Sequence, residues 1–178
     1  HKLKGEIFLN KILDLFEDWA DKYDDDIDEV GGPLTDYRDS LDQAYENHPQ
    51  AGENILDIGV GTGNFIEKYI EDSSNAYATD ISPKMLDEAK KKFPSLTTEI
   101  ADFNKIPFED EQFDLIISSF AFHEVHMSDR SAAIKEVSRL LKAGGTFNLL
   151  DIGFKSKMEL EAAQAEHYEE WDESEQYH

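Results

Sequence analysis

The sequence contains no cysteine. That excludes a disulfide scaffold, a thiolate metal site and a cysteine nucleophile. It also lacks any apolar run of the roughly 18 residues that a membrane-spanning helix needs. Positive charge is scarce: 17 Lys and Arg stand against 40 Asp and Glu, for a formal net charge of -23. No basic stripe occurs, so phosphate backbones and anionic lipid surfaces would be repelled, and neither nucleic acid nor a membrane is expected as a partner. The opening stretch HKLKGEIFLNKILDLFEDWADKY mixes charge through its apolar positions and has no secretory cleavage pattern, so a cytoplasmic location is the default expectation.

What is present suffices for a core. A chain of 178 residues fits one domain, and 39% hydrophobic with 11% aromatic residues is the composition of a folded protein despite the charge. Ile7, Phe8, Ile12, Leu15, Phe16 and Trp19 recur at three- and four-residue spacings, which predicts an amphipathic helix from about Gly5 to Asp24. The acidic run from Asp24 to Glu29 and then Gly31-Gly32-Pro33 predict a loop. A second helix is expected over Thr35 to Asn47, capped by Thr35 or Asp36 and ending before Pro49.

From Asn54 the pattern changes to short apolar runs alternating with helical ones. Strands are expected at Asn54–Val60, Ala76–Ile81, Thr97–Ala101, Phe113–Phe120 and Thr146–Ile152. Helices are expected at Asn64–Asp72, after the Ser82-Pro83 start to about Phe93, and from a Ser128 or Asp129 cap to about Leu141. Ala143-Gly144-Gly145 reads as a helix stop, and a last acidic helix is expected from Ser156 to Trp171. Strands that are apolar along their length and alternate with helices imply a mostly parallel sheet covered on both faces, a doubly wound α/β fold with about five strands. The domain reads as an N-terminal helical cap over residues 1–50, a core over 51–155 and an acidic helix over 156–178. In such sheets ligands sit outside the carboxyl ends of the strands, so the residues just after each strand are the ones to read for function.

After the first strand comes Asp57-Ile-Gly59-Val-Gly61-Thr-Gly63-Asn64. Glycines at alternate positions allow a sharp bend and a close approach of ligand to backbone. Position 64 is asparagine where a G-x-G-x-x-G dinucleotide fingerprint needs glycine, and no Gly-Lys-Ser/Thr follows, so neither that fingerprint nor a phosphate-binding P-loop is present. A plain tight turn is the structural alternative. The second strand ends in Asp80, about 20 residues on, placed to accept hydrogen bonds from a ribose diol; the alternative of a helix cap is already filled by Ser82. The third strand ends in Asp102-Phe103, a carboxylate for an exocyclic amine beside an aromatic, or equally a surface acid beside a core ring.

In this order, ILDIGVGTGNF, TDISPKML, ADFNKIPFEDEQFDLIISSFAFHEV and EVSRLLKAGGTFNLLDIG resemble the motifs of the class I S-adenosylmethionine-dependent methyltransferases, over about Asn54 to Gly153. FEDWADKYDD resembles the N-terminal segment of the small-molecule branch that includes the ubiquinone/menaquinone-biosynthesis enzymes. The resemblance implies a Rossmann-like fold, S-adenosylmethionine as cofactor and methyl transfer to a small-molecule acceptor. It implies that Gly59, Gly61 and Gly63 pass beneath the methionine and ribose, that Asp57 holds the loop and orients the amino group, and that Asp80 binds the ribose hydroxyls. Ile81 and Met85 would lie against adenine, Asp102 would meet its amine with Phe103 alongside, Ser119 would lie near the methyl group, and Tyr23 would close the site. His123 is the one candidate general base, should the acceptor need to lose a proton; packing or hydrogen bonding at the rim is its other reading. His123 with His126 lacks a third ligand, so no metal is expected.

The family's sheet carries seven strands, whereas five are legible here and the C-terminal hairpin strands are not found. An exposed sheet edge makes a homodimer through that edge a reasonable expectation. Two competing functions stand beside methyl transfer: a truncated or non-catalytic cofactor-binding module, and a nucleotide-dependent oxidoreductase, against which Asn64 argues. Phe8, Phe16, Trp19, Tyr37, Phe122, His123 and Phe154 are the residues expected around the acceptor.

Overall fold

The computed structural model describes residues 13, 17, 19–27, 36–153 and 156–166. Five parallel strands form one sheet: β1 (Asn54–Ile58), β2 (Asn75–Asp80), β3 (Thr97–Ile100), β4 (Phe113–Ser119) and β5 (Leu141–Leu150), in the order β3-β2-β1-β4-β5. The helices are α1 (Tyr23–Ile27), α2 (Tyr37–Asn47), α3 (Pro83–Lys92), α4 (Arg130–Leu140) and α5 (Lys157–Glu166). This is the expected doubly wound α/β fold. Strand order reverses between β1 and β4, which opens a crevice outside their carboxyl ends.

Burial explains why these runs became strands. Leu115, Ile116 and Ile117 of β4 are consecutive and fully buried, which is possible only in a strand covered on both faces. Alternation sends Ile55, Leu115 and Ile117 to one core with Leu41, Phe65, Tyr69 and Leu86. It sends Leu56, Ile58 and Ile116 to the other with Ile106, Val137 and Leu140. Helix α3 begins as its sequence dictates: Ser82 is the N-cap, its Oγ accepting from Met85 N at 3.2 Å, with Pro83 in the first turn.

Four expectations are corrected. The Asn64–Asp72 helix is only a 3-10 turn at Ile66–Lys68. Phe65, Ile66 and Tyr69 are all fully buried, and the Tyr69 hydroxyl donates to His48 O at 3.0 Å, so tertiary anchoring tightens the segment into i→i+3 bonds such as Tyr69 N to Ile66 O. Ala143-Gly144-Gly145 is not a helix stop but lies inside β5, which begins at Leu141 opposite Phe113. Its register shifts before pairing resumes at Thr146 opposite Leu115, and Gly144 at φ +82° takes the bend. The acidic run after Tyr23 is helical through Ile27 rather than a loop; Ala20–Lys22 form a turn that separates it from the helical residues Leu13, Glu17 and Trp19. Its acids are engaged, Asp24 with Lys92 and Asp26 with the Trp19 indole, so they need no solvated loop. Helix α2 starts at Tyr37, with Asp36 preceding it at φ +72° and making no side-chain cap. Most of the Gly5–Asp24 helix, Gly31-Gly32-Pro33, the Thr35 cap and the end of the last helix lie outside the described residues. Among the described residues no sixth or seventh strand occurs, and no helix is long and apolar enough to cross a membrane.

Candidate functional site

The turn after β1 is tied across to β2, for the amides of Gly59 and Val60 both donate to Thr79 O, at 2.8 and 3.0 Å. Gly59 sits at φ +73°, and a Cβ there would lie 2.5 Å from Ala121 Cβ, so backbone angle and close approach both demand glycine. Gly61, at φ +53°, is different: a Cβ there would meet nothing within 4 Å. The loop therefore forms an open cradle at that point.

Asp80 borders the cradle from β2. Its Oδ2 accepts from Gly61 N and its Oδ1 from Ser82 N, each at 2.9 Å. Burial pushes its pKa above the ordinary carboxylate value, opposed by the amides of Ser82, Gly61 and Ile81. Asp57, at the base of the loop, is fully buried, and neither carboxylate oxygen has a hydrogen-bond partner. Burial first, and the charge of Asp80 second, raise its pKa well above the usual range; the Ile66 amide opposes this without closing a hydrogen bond. Such a group calls for a cationic or donating ligand.

Aromatic rings span the opposite side. Trp19 meets Tyr23 edge-on at 4.7 Å, Tyr23 meets Tyr37 at 6.4 Å, and Tyr37 lies 5.0 Å from Phe120. The Tyr37 hydroxyl sits among Tyr23, Asn64 and Ser119. The structure thus gathers Tyr23, Asp57, the three glycines, Asp80, Ile81 and Ser119 around one crevice. Asp102 and Phe103 follow β3, beside Ala101, whose N donates to Asp80 O at 3.1 Å, and Phe103 belongs to the core that holds Leu56 and Ile58. The Asp102 Oδ1 accepts from Asn104 N at 2.8 Å, while Phe103 is buried edge-on against Phe122. Met85 is buried in the first turn of α3.

His123 lies in the turn Phe122–Glu124 that follows β4. Its backbone N donates to Asp151 Oδ2 at 2.7 Å and its Nδ1 lies 2.6 Å from Asp151 Oδ1; Nε2 is 3.5 Å from Glu124. Burial disfavours the charged ring, but Asp151 and then Glu124 outweigh it and push the pKa up to about 10. A ring so held is expected to stay an imidazolium at neutral pH, a state that does not accept a proton. The sign follows: with a folded pKa above the free value, its stabilising charge is fully present below about pH 6.5 and is lost as pH rises through about 10. His123 ring resonances should therefore show no titration between about pH 6 and 8, and Asp151→Asn should bring the midpoint down toward the ordinary range. A wild-type midpoint near 6.5 contradicts this assignment.

Sequence reading missed Glu17, Asp24, Thr62 and Asp151. Asp151 stands at the end of a recognisable strand and was open to the rule that reads residues after strands. The other three act through side-chain contacts between distant segments and leave no local signal. Of the residues expected around the acceptor, Phe8, Phe16 and Phe154 lie outside the described residues.

The comparisons with known proteins agree with this geometry. Residues 55–145 match the family described as Methyltransferase domain. A protein of Anoxybacillus flavithermus named an uncharacterized methyltransferase is 37% identical over 161 residues, covering 88% of this chain and 74% of that one. In fold, the chain resembles the DhpI-SAM-HEP complex with a TM-score of 0.71 at 19% identity, covering 88% of this chain and 71% of that one. It likewise resembles Haemonchus contortus phosphoethanolamine N-methyltransferase 1, solved with phosphoethanolamine and S-adenosylhomocysteine, with a TM-score of 0.70 at 17% identity, covering 81% of this chain and 32% of that one. With an open glycine cradle after β1 and buried carboxylates on β1 and β2, the chain belongs to the methyltransferase domain family and is a class I S-adenosylmethionine-dependent methyltransferase.

Proposed function

We propose that the crevice holds S-adenosylmethionine over Gly61 and that the protein methylates a small, neutral or cationic acceptor. One observation carries the reading: the amides of Gly59, Val60, Gly61 and Gly63 are all engaged within the protein, Gly61 on Asp80 itself. A dinucleotide's pyrophosphate needs free amides and a helix N-terminus. Here those four amides are taken, the following element is a single 3-10 turn, and the walls are acidic. That environment suits a cofactor carrying ammonium and sulfonium charges and repels a phosphate.

In this arrangement each Asp80 oxygen keeps a lone pair beyond its backbone bond, which lets the carboxylate accept from the ribose hydroxyls. Asp57, without other partners, orients the amino group. Gly61 keeps the floor clear, Gly59 and Gly63 let the turn beneath it pack against Ala121 and Phe93, and Ile81 and Met85 border the adenine, with Asp102 and Phe103 at its amine edge. Ser119 lies by the reacting end, and Tyr23 with Tyr37 roofs it. When bound, the cofactor supplies a methyl group already activated by a sulfonium, so the protein's task is alignment for in-line displacement. His123, as an imidazolium, organises the loops after β4 and β5 rather than taking a proton.

The acceptor class rests on the resemblance of FEDWADKYDD to the small-molecule branch and on the acidic surface. The outer edge of β5 carries no strand among the described residues, and a second copy pairing there stays part of this proposal. Calorimetric titration with S-adenosylmethionine, S-adenosylhomocysteine and NAD tests the reading. The first two should bind and NAD should not; NAD binding alone would overturn it. Cofactor binding without transfer to any acceptor favours a non-catalytic module.

A further inference from the structure

Thr62 and Asn64 are buried polar residues inside the glycine-rich turn, at 2% and 5% exposure. Neither faces another part of that turn alone. Thr62 Oγ1 donates to Asp24 Oδ1 at 2.6 Å, Asn64 Nδ2 donates to the same oxygen at 3.0 Å, and Asn64 Nδ2 also reaches Thr62 Oγ1 at 3.1 Å. The other oxygen of Asp24 pairs with Lys92 on α3. A second clasp lies nearby: Glu17 Oε1 accepts from Ser82 Oγ at 2.7 Å and Lys84 N at 3.2 Å, and Lys84 Nζ donates to Glu17 O at 2.8 Å. The N-terminal segment is thus bonded to both turns that form the cradle, the one after β1 and the one after β2.

We propose that Asp24 is a positioning residue for the methyl-transfer site, fixing the glycine-rich turn in its cofactor-ready shape through Thr62 and Asn64 and holding Tyr23 over it. This rests on the reading that the cradle takes the adenosyl cofactor. A turn with so many glycines needs anchors from outside it. Glycine brings no side chain to anchor and a large conformational entropy to suppress. Between Gly59 and Asn64 only Val60, Thr62 and Asn64 have side chains, and only the last two are polar. They are the handles by which the rest of the protein holds the turn, and both handles are held by one carboxylate. A turn ordered beforehand binds with a smaller entropy loss than one ordered by its ligand. The residue that removes the dinucleotide fingerprint, Asn64, is thereby given a use: glycine at that position would surrender one of the two handles.

The test uses the full chain and calorimetric titration with S-adenosylhomocysteine. Asp24→Ala should weaken binding by about tenfold, and Thr62→Val should do the same, because each removes a buried partner. Asp24→Asn keeps an oxygen for Thr62 and Asn64, and Thr62→Ser keeps the hydroxyl, so both should stay within about threefold of wild type. The Asp24→Ala/Thr62→Val double variant should bind no worse than either single one, as expected of residues acting through one contact. Wild-type affinity in both loss variants, equal losses in Asp24→Asn and Asp24→Ala, or losses that multiply in the double variant would each overturn the proposal. If Asp24→Ala does not fold, Thr62→Val against Thr62→Ser decides the same question.

A ligand-free measurement separates this proposal from the cofactor reading. In a Trp171→Phe background Trp19 is the one tryptophan. Acrylamide quenching of its emission should rise in Asp24→Ala and not in Asp24→Asn; equal quenching in the two contradicts the positioning role of Asp24. A wild-type chain that takes no S-adenosylhomocysteine overturns the cofactor reading instead.

Discussion

Gly61→Leu is expected to abolish S-adenosylhomocysteine binding while leaving the protein folded. A Cβ at Gly61 meets nothing within 4 Å, so the substitution inserts no atom into packed protein. Its structural cost is the left-handed backbone angle of +53°, about 1 kcal/mol for a side chain with a Cβ. For a chain of this size that lowers Tm by roughly 2–4 °C. The isobutyl group, in contrast, stands in the cradle where the nucleoside is to pass. A loss of at least about hundredfold in affinity, some 2.7 kcal/mol, is the expected result by calorimetry, with an unchanged far-ultraviolet spectrum. Gly59 offers the comparison. A Cβ there collides with Ala121 at 2.5 Å, so its substitution damages the fold and would say nothing about the ligand. A Gly61→Leu protein that binds as wild type removes the cradle from the account.

Asp80→Ala is expected to weaken cofactor binding by about 1–3 kcal/mol, or roughly fivefold to 150-fold. The carboxylate does two things that alanine cannot. It holds the amides of Gly61 and Ser82, each at 2.9 Å, and so joins the two turns of the cradle. In the proposed complex it also accepts from the ribose diol. Stability should respond less than affinity. Asp80 is buried with a raised pKa and faces Asp57 and Glu17, so its removal relieves repulsion while it orphans two amides. Affinity and melting temperature measured on the same sample separate the two effects. Unchanged affinity in a folded variant takes the ribose role away from Asp80.

Both variants concern residues that the sequence singles out by position alone, and the reason is physical. A parallel strand buried on both faces must be apolar along its length, and a ligand must sit beyond its carboxyl end. The ends of NILDI, NAYATD and FDLIISS therefore locate Gly59, Asp80 and Ser119 without coordinates. Where long-range contacts decide, local pattern misleads. The segment after Asn64 has helical spacing but is tightened by the burial of Phe65, Ile66 and Tyr69. The Ala143-Gly144-Gly145 stretch has the composition of a helix stop, yet it sits where β5 shifts register beside Phe113. The acids after Tyr23 have the composition of a solvated loop. Asp26 is held by Trp19, and Asp24 by Lys92, Thr62 and Asn64, which lie far along the chain. His123 illustrates the same limit. Its place after β4 is plain from sequence, but its charge depends on Asp151, 28 residues away.

The most direct measurement is a crystal structure of the chain grown with saturating S-adenosylhomocysteine. The nucleoside should lie across Gly61, with both ribose hydroxyls on the Asp80 carboxylate and the amino group directed at Asp57. Ligand density elsewhere with that cradle vacant, or a ribose held by some other residue, would contradict it.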